Sequence, residues 1–155
     1  MIDFRDKWLK GLKISGTDQF FTFDEKGICQ LAVNDDMLVT LFKPEAGYQV
    51  TIFGQFHVGE LSPSMQQSML IANRNNAINA APIVSLSENA DAVEVHLVLN
   101  QQELRLKPSV SLEKVIDGLK YWREQIRNEV GTPQRLQSNQ VNNKPQSTSN
   151  HIHFI

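Results

Sequence analysis

Over residues 1–130 the chain switches between two hydrophobic periods, and this switching constrains its fold more than any other feature. Near the start, Phe4, Trp8 and Leu12 recur every fourth residue with Leu9 beside them, which predicts a helix over roughly 3–14 with one apolar stripe. Asp3 is placed to cap it, Asp6 lies in its first turn, and Gly16 is expected to end it. A run of strands follows. Phe21 and Phe23 lead into a turn at Asp24-Glu25-Lys26-Gly27, with Gly where positive φ is wanted. Ile28 to Val33 makes a strand with Leu31 and Val33 on one face, Asn34-Asp35-Asp36 turns the chain, and Met37 to Lys43 makes a second strand. After the turn at Pro44-Glu45-Ala46-Gly47, Tyr48, Val50 and Ile52 alternate with Gln49 and Thr51. Loops this short between consecutive strands predict an antiparallel meander.

Helical character returns at Ser62-Pro63, a cap followed by Pro at the first helical position, and runs to about Ala80. Met65, Met69 and Ala72 fall on one side; Leu70, Ala77 and Ala81 fall on another. Arg74 is the only charged residue in this segment. A helix so poor in charge is not expected to face bulk water across its whole outer side, and small Ala and pliable Met residues suit close approach of another helix. A homodimer contact is one reading; burial within one subunit is the other. Ile83 to Leu86 is then a short strand, and Val93, Val95, Leu97 and Leu99 alternate with Glu94, His96 and Asn100 in a longer one. Leu104 and Leu106 are expected to extend the sheet up to Pro108. A last helix, capped by Ser111 with Val110 and Val115 as a hydrophobic staple, carries Leu112, Ile116, Leu119, Trp122 and Ile126 at helical spacing and closes at Gly131 and Pro133.

The fold class is therefore α+β: an antiparallel sheet with three helices in the order α-βββ-α-ββ-α, forming one domain over 1–130. From 131 to 155 the composition turns to Gln, Asn, Ser and Thr, which predicts a flexible polar tail. Its last five residues, His151-Ile152-His153-Phe154-Ile155, break that pattern with an apolar end.

Charge and cysteine content narrow the function. All 17 acidic residues lie in 1–130 against 13 Lys and Arg there, a net of −4, while the tail carries only Arg135 and Lys144. An acidic body argues against a nucleic-acid partner. The single cysteine, Cys29, excludes an intrachain disulfide and fits a reducing compartment. No signal peptide is visible at Met1–Lys7, and no apolar run approaches the ~20 residues that span a bilayer, so a cytoplasmic protein without membrane insertion is expected.

Catalytic chemistry is hard to find. His151 and His153 resemble a metal pair but have no acid or cysteine near them in sequence. Cys29 sits mid-strand with Lys26 as its nearest cation, which fits a buried thiol better than a nucleophile. Asp24-Glu25 and Asp35-Asp36 read as turn residues, and Gly54 and Gly59 make no phosphate-cradling loop. No metal, cofactor or catalytic residue is expected. An enzyme would need His57, His96 and Glu94 to converge in a cleft.

With this element order, acidic body and charge-poor middle helix, the chain resembles the class I chaperones of bacterial type III secretion, the Tir-chaperone (CesT-like) family. The stretch Phe21-Thr22-Phe23-Asp24-Glu25-Lys26-Gly27-Ile28-Cys29-Gln30-Leu31-Ala32-Val33-Asn34-Asp35 is similar to that family's first hairpin, and Met37 to Phe42 and Tyr48 to Phe53 fit its next two strands. The resemblance implies a non-catalytic homodimer that holds the N-terminal segment of a secreted effector in extended form, with release at the secretion ATPase. It implies effector-binding patches drawn from Phe4, Trp8, Leu12, Phe21, Phe23, Leu31 and Val33. The dimer contact it implies involves Met65, Met69, Ala72, Ala77, Val95 and Leu97. The alternative is a carrier of an apolar small molecule in a pocket between sheet and helices.

Overall fold

The computed structural model describes residues 3–14 and 19–131. Gly16, Pro133 and the tail readings, including His151 and His153, lie outside the described residues. The chain runs α1 (Phe4–Lys10), β1 (Ile28–Asn34), β2 (Met37–Phe42), β3 (Val50–His57), α2 (Pro63–Ile78), β4 (Ile83–Leu86), β5 (Ala92–Leu99), a single 3₁₀ turn (Glu103–Arg105) and α3 (Pro108–Gly131). The predicted α-βββ-α-ββ-α order is observed. One antiparallel sheet collects all five strands in the order β1-β2-β3-β5-β4, so β1 and β4 are its edges.

Register explains the core. Leu31 faces Val39, Val39 faces Gly54, and Gly54 faces Val95, which in turn faces Val84. Residues paired across antiparallel strands share a face, so this row and its period-two neighbours form one apolar surface. Cys29, Met37, Leu41, Val50, Ile52, Phe56, Val93, Leu97 and Leu99 complete it, all buried. Across it lies α3, whose Val115 and Leu119 sit over Gly54 and whose Gly118 sits over Val95. Val115 and Leu119 are fully buried, and Leu112 and Trp122 extend the contact along the helix.

Three local expectations are corrected. Leu104 and Leu106 do not continue the sheet: Asn100 Oδ1 accepts from Gln102 N and Glu103 N, and this local side-chain capture winds the chain into the 3₁₀ turn instead. The last helix begins at Pro108, with Pro in the first turn where its missing N–H costs nothing. Ser111 is thus a buried residue inside the helix, and the exposed Val110 makes no staple with the fully buried Val115. Phe21 and Phe23 are in no strand; they are half-buried against the core ahead of the turn. That turn forms as expected. Asp24 Oδ1 accepts from Lys26 N and Ile28 N, and Gly27 takes φ 74°, where a Cβ would strike the Lys43 carbonyl.

Candidate functional site

Strand β1 has β2 on one side and, among the described residues, no strand on the other. Leu31 and Val33 lie on its helix-facing side. Beside them the chain leaving α1 supplies Leu12 and Ile14, and the first turns of α3 supply Leu112 and Ile116. These six side chains line an open cleft of about 290 Å³, rimmed by Lys13 and Glu113. An unpaired strand edge next to an apolar groove offers backbone hydrogen bonds and side-chain pockets together, which is the arrangement that recruits an extended polypeptide.

The position of α1 sets the cleft. Asp3 caps the helix by accepting from Arg5 N at 2.9 Å, and its carboxylate also holds the Arg5 guanidinium at 2.7–3.0 Å. Arg5 is buried and donates through Nη1 to the Pro44 carbonyl at 2.7 Å, while Lys43 Nζ reaches Asp6 at 2.6 Å. Hydrogen bonding to Arg5 holds the Asp3 carboxyl down at about 2, against the opposing effect of burial. At the other end, Trp8 Nε1 donates to the Leu106 carbonyl at 3.0 Å, so the 3₁₀ turn anchors the helix.

Of the seven residues expected to bind an effector, Leu12, Leu31 and Val33 meet in this cleft. Leu12 and Leu31 are buried in its wall, and Val33 is half-exposed at its rim. Trp8 is a core residue behind it. Phe4, Phe21 and Phe23 are half-buried elsewhere, Phe4 against Tyr48 and Phe23 under the Lys43 ammonium at 5.2 Å. Sequence reasoning did not single out Ile14 or Ile116 for this site. Ile116 was visible only as one member of the α3 stripe.

The expected dimer residues divide differently. Met65, Met69, Val95 and Leu97 are turned into the subunit's own core, and Ala72 is half-buried against it. Of the six, Ala72 keeps part of its surface open and Ala77 is exposed. The opposite face of α2 carries the uncovered apolar groups: Leu70, Ile71 and Ile78 are 72%, 60% and 76% exposed. They surround Arg74 on one helical face. The inner face is fixed by Asn73, whose amide donates to the Val84 carbonyl at 2.6 Å and accepts from Val84 N at 2.8 Å, closing the β4 edge.

The groups with chemical potential do not converge. His96 lies on the open sheet face, stacked on Phe53, with Ser85 Oγ at 2.9 Å and Glu94 Oε2 at 3.3 Å. Both approach the same ring nitrogen, Nε2, whereas a relay needs base and orienting acid on opposite nitrogens. His57 pairs with Ala92, four residues along β3 from Phe53, which pairs with His96; this separation is about 13 Å. Cys29 is buried and burial pushes its thiol up, assisted by Asp24. No group of three or more His, Cys, Asp or Glu fit to hold a metal occurs among the described residues. Over the centre of the sheet, the space beneath α3 is filled by Val115, Leu119, Ile52 and Val93, so the apolar opening between sheet and helices lies at the β1 cleft. No helix among the described residues is long and apolar enough to cross a membrane.

A profile of the Tir chaperone protein (CesT) family matches residues 12–123. The chain belongs to the CesT family. It is thus a chaperone of the type III secretion class, as the resemblance in its sequence implied. Among solved structures, this CesT-family chain is similar to one from the HopA1–SchA chaperone–effector complex, at 22% identity and a TM-score of 0.56, over 79% of this chain and 89% of that one. It is also similar to a chain of the ExsC–ExsE complex, at 16% identity and a TM-score of 0.59, over 69% of this chain and 81% of that one. At these identities the likeness is one of fold. No curated protein matches the sequence significantly.

Proposed function

We propose that this CesT-family protein is a non-catalytic, cytoplasmic, homodimeric chaperone. It binds the N-terminal segment of one or more secreted effectors in extended form and delivers them to the secretion apparatus, with release at the secretion ATPase. The observation that carries the reading is the apolar cleft beside the open edge of β1, in a chain of this family. An effector strand along β1 gains backbone pairing without demanding one sequence. Ordering it costs about 1–2 kcal/mol per residue. Apolar side chains entering the Leu31–Val33–Ile116 groove return about 25 cal/mol per Å² buried. The balance favours short, apolar-studded segments and leaves them unfolded enough for export. The second copy is assigned to the outer face of α2, where Leu70, Ile71 and Ile78 are uncovered.

The test is recovery of partners from the native organism with wild-type chain and with Val33→Asp, a half-buried rim residue packed against the edge of the core, the variant's fold being checked by circular dichroism. A secreted protein retained through its N-terminal segment by wild type, and lost from a folded Val33→Asp chain, supports the reading. Equal retention by both chains, or no secreted protein with wild type, refutes it.

A further inference from the structure

The cleft and the β1 edge have a candidate occupant within the chain itself. In residues 151–155, Ile152 and Phe154 stand two apart, so in a strand both fall on one face. Leu31 and Val33 have the same spacing on the helix-facing side of β1. A strand laid along the open edge with Ile152 and Phe154 on that side places both over the Leu12–Ile116 groove. Reach is matched as well. Ile116 at the cleft lies 15 helical residues before Gly131, about 22 Å along α3. A polar chain of 20 residues, the number that separates Gly131 from His151, would have a root-mean-square span of about 25 Å. A tether whose span equals the distance it must cover gives the highest effective concentration, of millimolar order. Charge favours the same pairing, because residues 132–155 carry Arg135 and Lys144 and no acid, whereas the body is acidic.

We propose that residues 151–155 are the resident occupant of the β1 edge and its apolar cleft, docking there as an added strand from the same chain. The assignment builds on the cleft being a polypeptide site, but its test needs no effector. Backbone hydrogen exchange is compared in the full chain and in the Ile152→Asp/Phe154→Asp variant. If the segment holds the edge nine-tenths of the time, the amides of Gln30 and Ala32, which face the open edge on the same side as Ile28, exchange about tenfold faster in the variant, with those of central β3 unchanged. A labelled peptide of residues 148–155 should then bind the variant about tenfold more tightly than wild type. A nitroxide on Asn150→Cys, attached selectively because Cys29 is buried, should broaden the Val33 and Ile116 signals. Equal β1 exchange in both chains overturns the proposal. Protection that fades on dilution also overturns it, since that assigns the strand to a second copy. Failure to recover a secreted protein leaves these readouts untouched and bears only on the chaperone function.

Discussion

A Cβ built on Gly54 would strike Leu119 Cδ1 and come within 3.2 Å of Val115 Cγ1, and both side chains are fully buried with nowhere to move. Replacing Gly54 by Ala restricts the unfolded chain, which stabilises by about 0.4–1 kcal/mol. Overpacking a closed core costs about 1–3 kcal/mol and wins. Gly54→Ala should therefore lose about 1–2 kcal/mol, read as a lower denaturant midpoint at unchanged m. Asn73→Ala removes both partners of the Val84 backbone at the β4 edge, and leaving two half-buried groups unpaired should cost about 1–3 kcal/mol in the same assay. Neither role is legible in the sequence. Gly54 reads as a gap in an alternating strand, and Asn73 as one of three similar Asn residues on α2; each acts on a partner distant along the chain.

Seven residues make too short a helix to persist alone, so α1 holds its place through the Asp3–Arg5–Lys43 cluster and the Trp8 bond to Leu106. Asp3 ionises further into acid when folded, at about 2, than at its ordinary 3.8. Its contribution is complete above pH 3.8 and is lost as the pH falls through about 2. The stability difference between wild type and Asp3→Asn, measured by urea titration, should be largest near neutrality and shrink across that acid window. A difference independent of pH would remove Asp3 from the clamp. Element order was readable because periods of 3.6 and 2 survive in single stretches such as Leu112–Ile126 and Val93–Leu99. Misread boundaries arose where local hydrogen bonds competed with the pattern, as at Asn100 before the 3₁₀ turn. The two sides of α2 were separable by spacing. Which side faced inward was not, because Met65–Met69 and Leu70–Ile78 are both apolar and only Asn73, pinned to Val84, decides it.

For the molecule as a whole, α2 leaves apolar groups uncovered. Leu70, Ile71 and Ile78 each stand to contribute about 1.5–3 kcal/mol on full burial. A stable contact needs about 800 Å² per partner, more than three side chains provide. Ile83 of β4 and Val98 of β5 are also uncovered, both on the sheet face that carries His96. The proposed dimer therefore joins the outer face of α2 to this edge of the sheet. Two substitutions separate contact from core. Leu70→Glu/Ile78→Glu should keep the secondary structure and run as a monomer in light scattering, with a Tm that no longer rises with protein concentration as the wild-type Tm should. Met69→Glu should instead place an unpaired charge inside the subunit and unfold it rather than yield a folded monomer. A folded monomer from Met69→Glu, or a dimer that survives Leu70→Glu/Ile78→Glu, would put the contact elsewhere on the molecule.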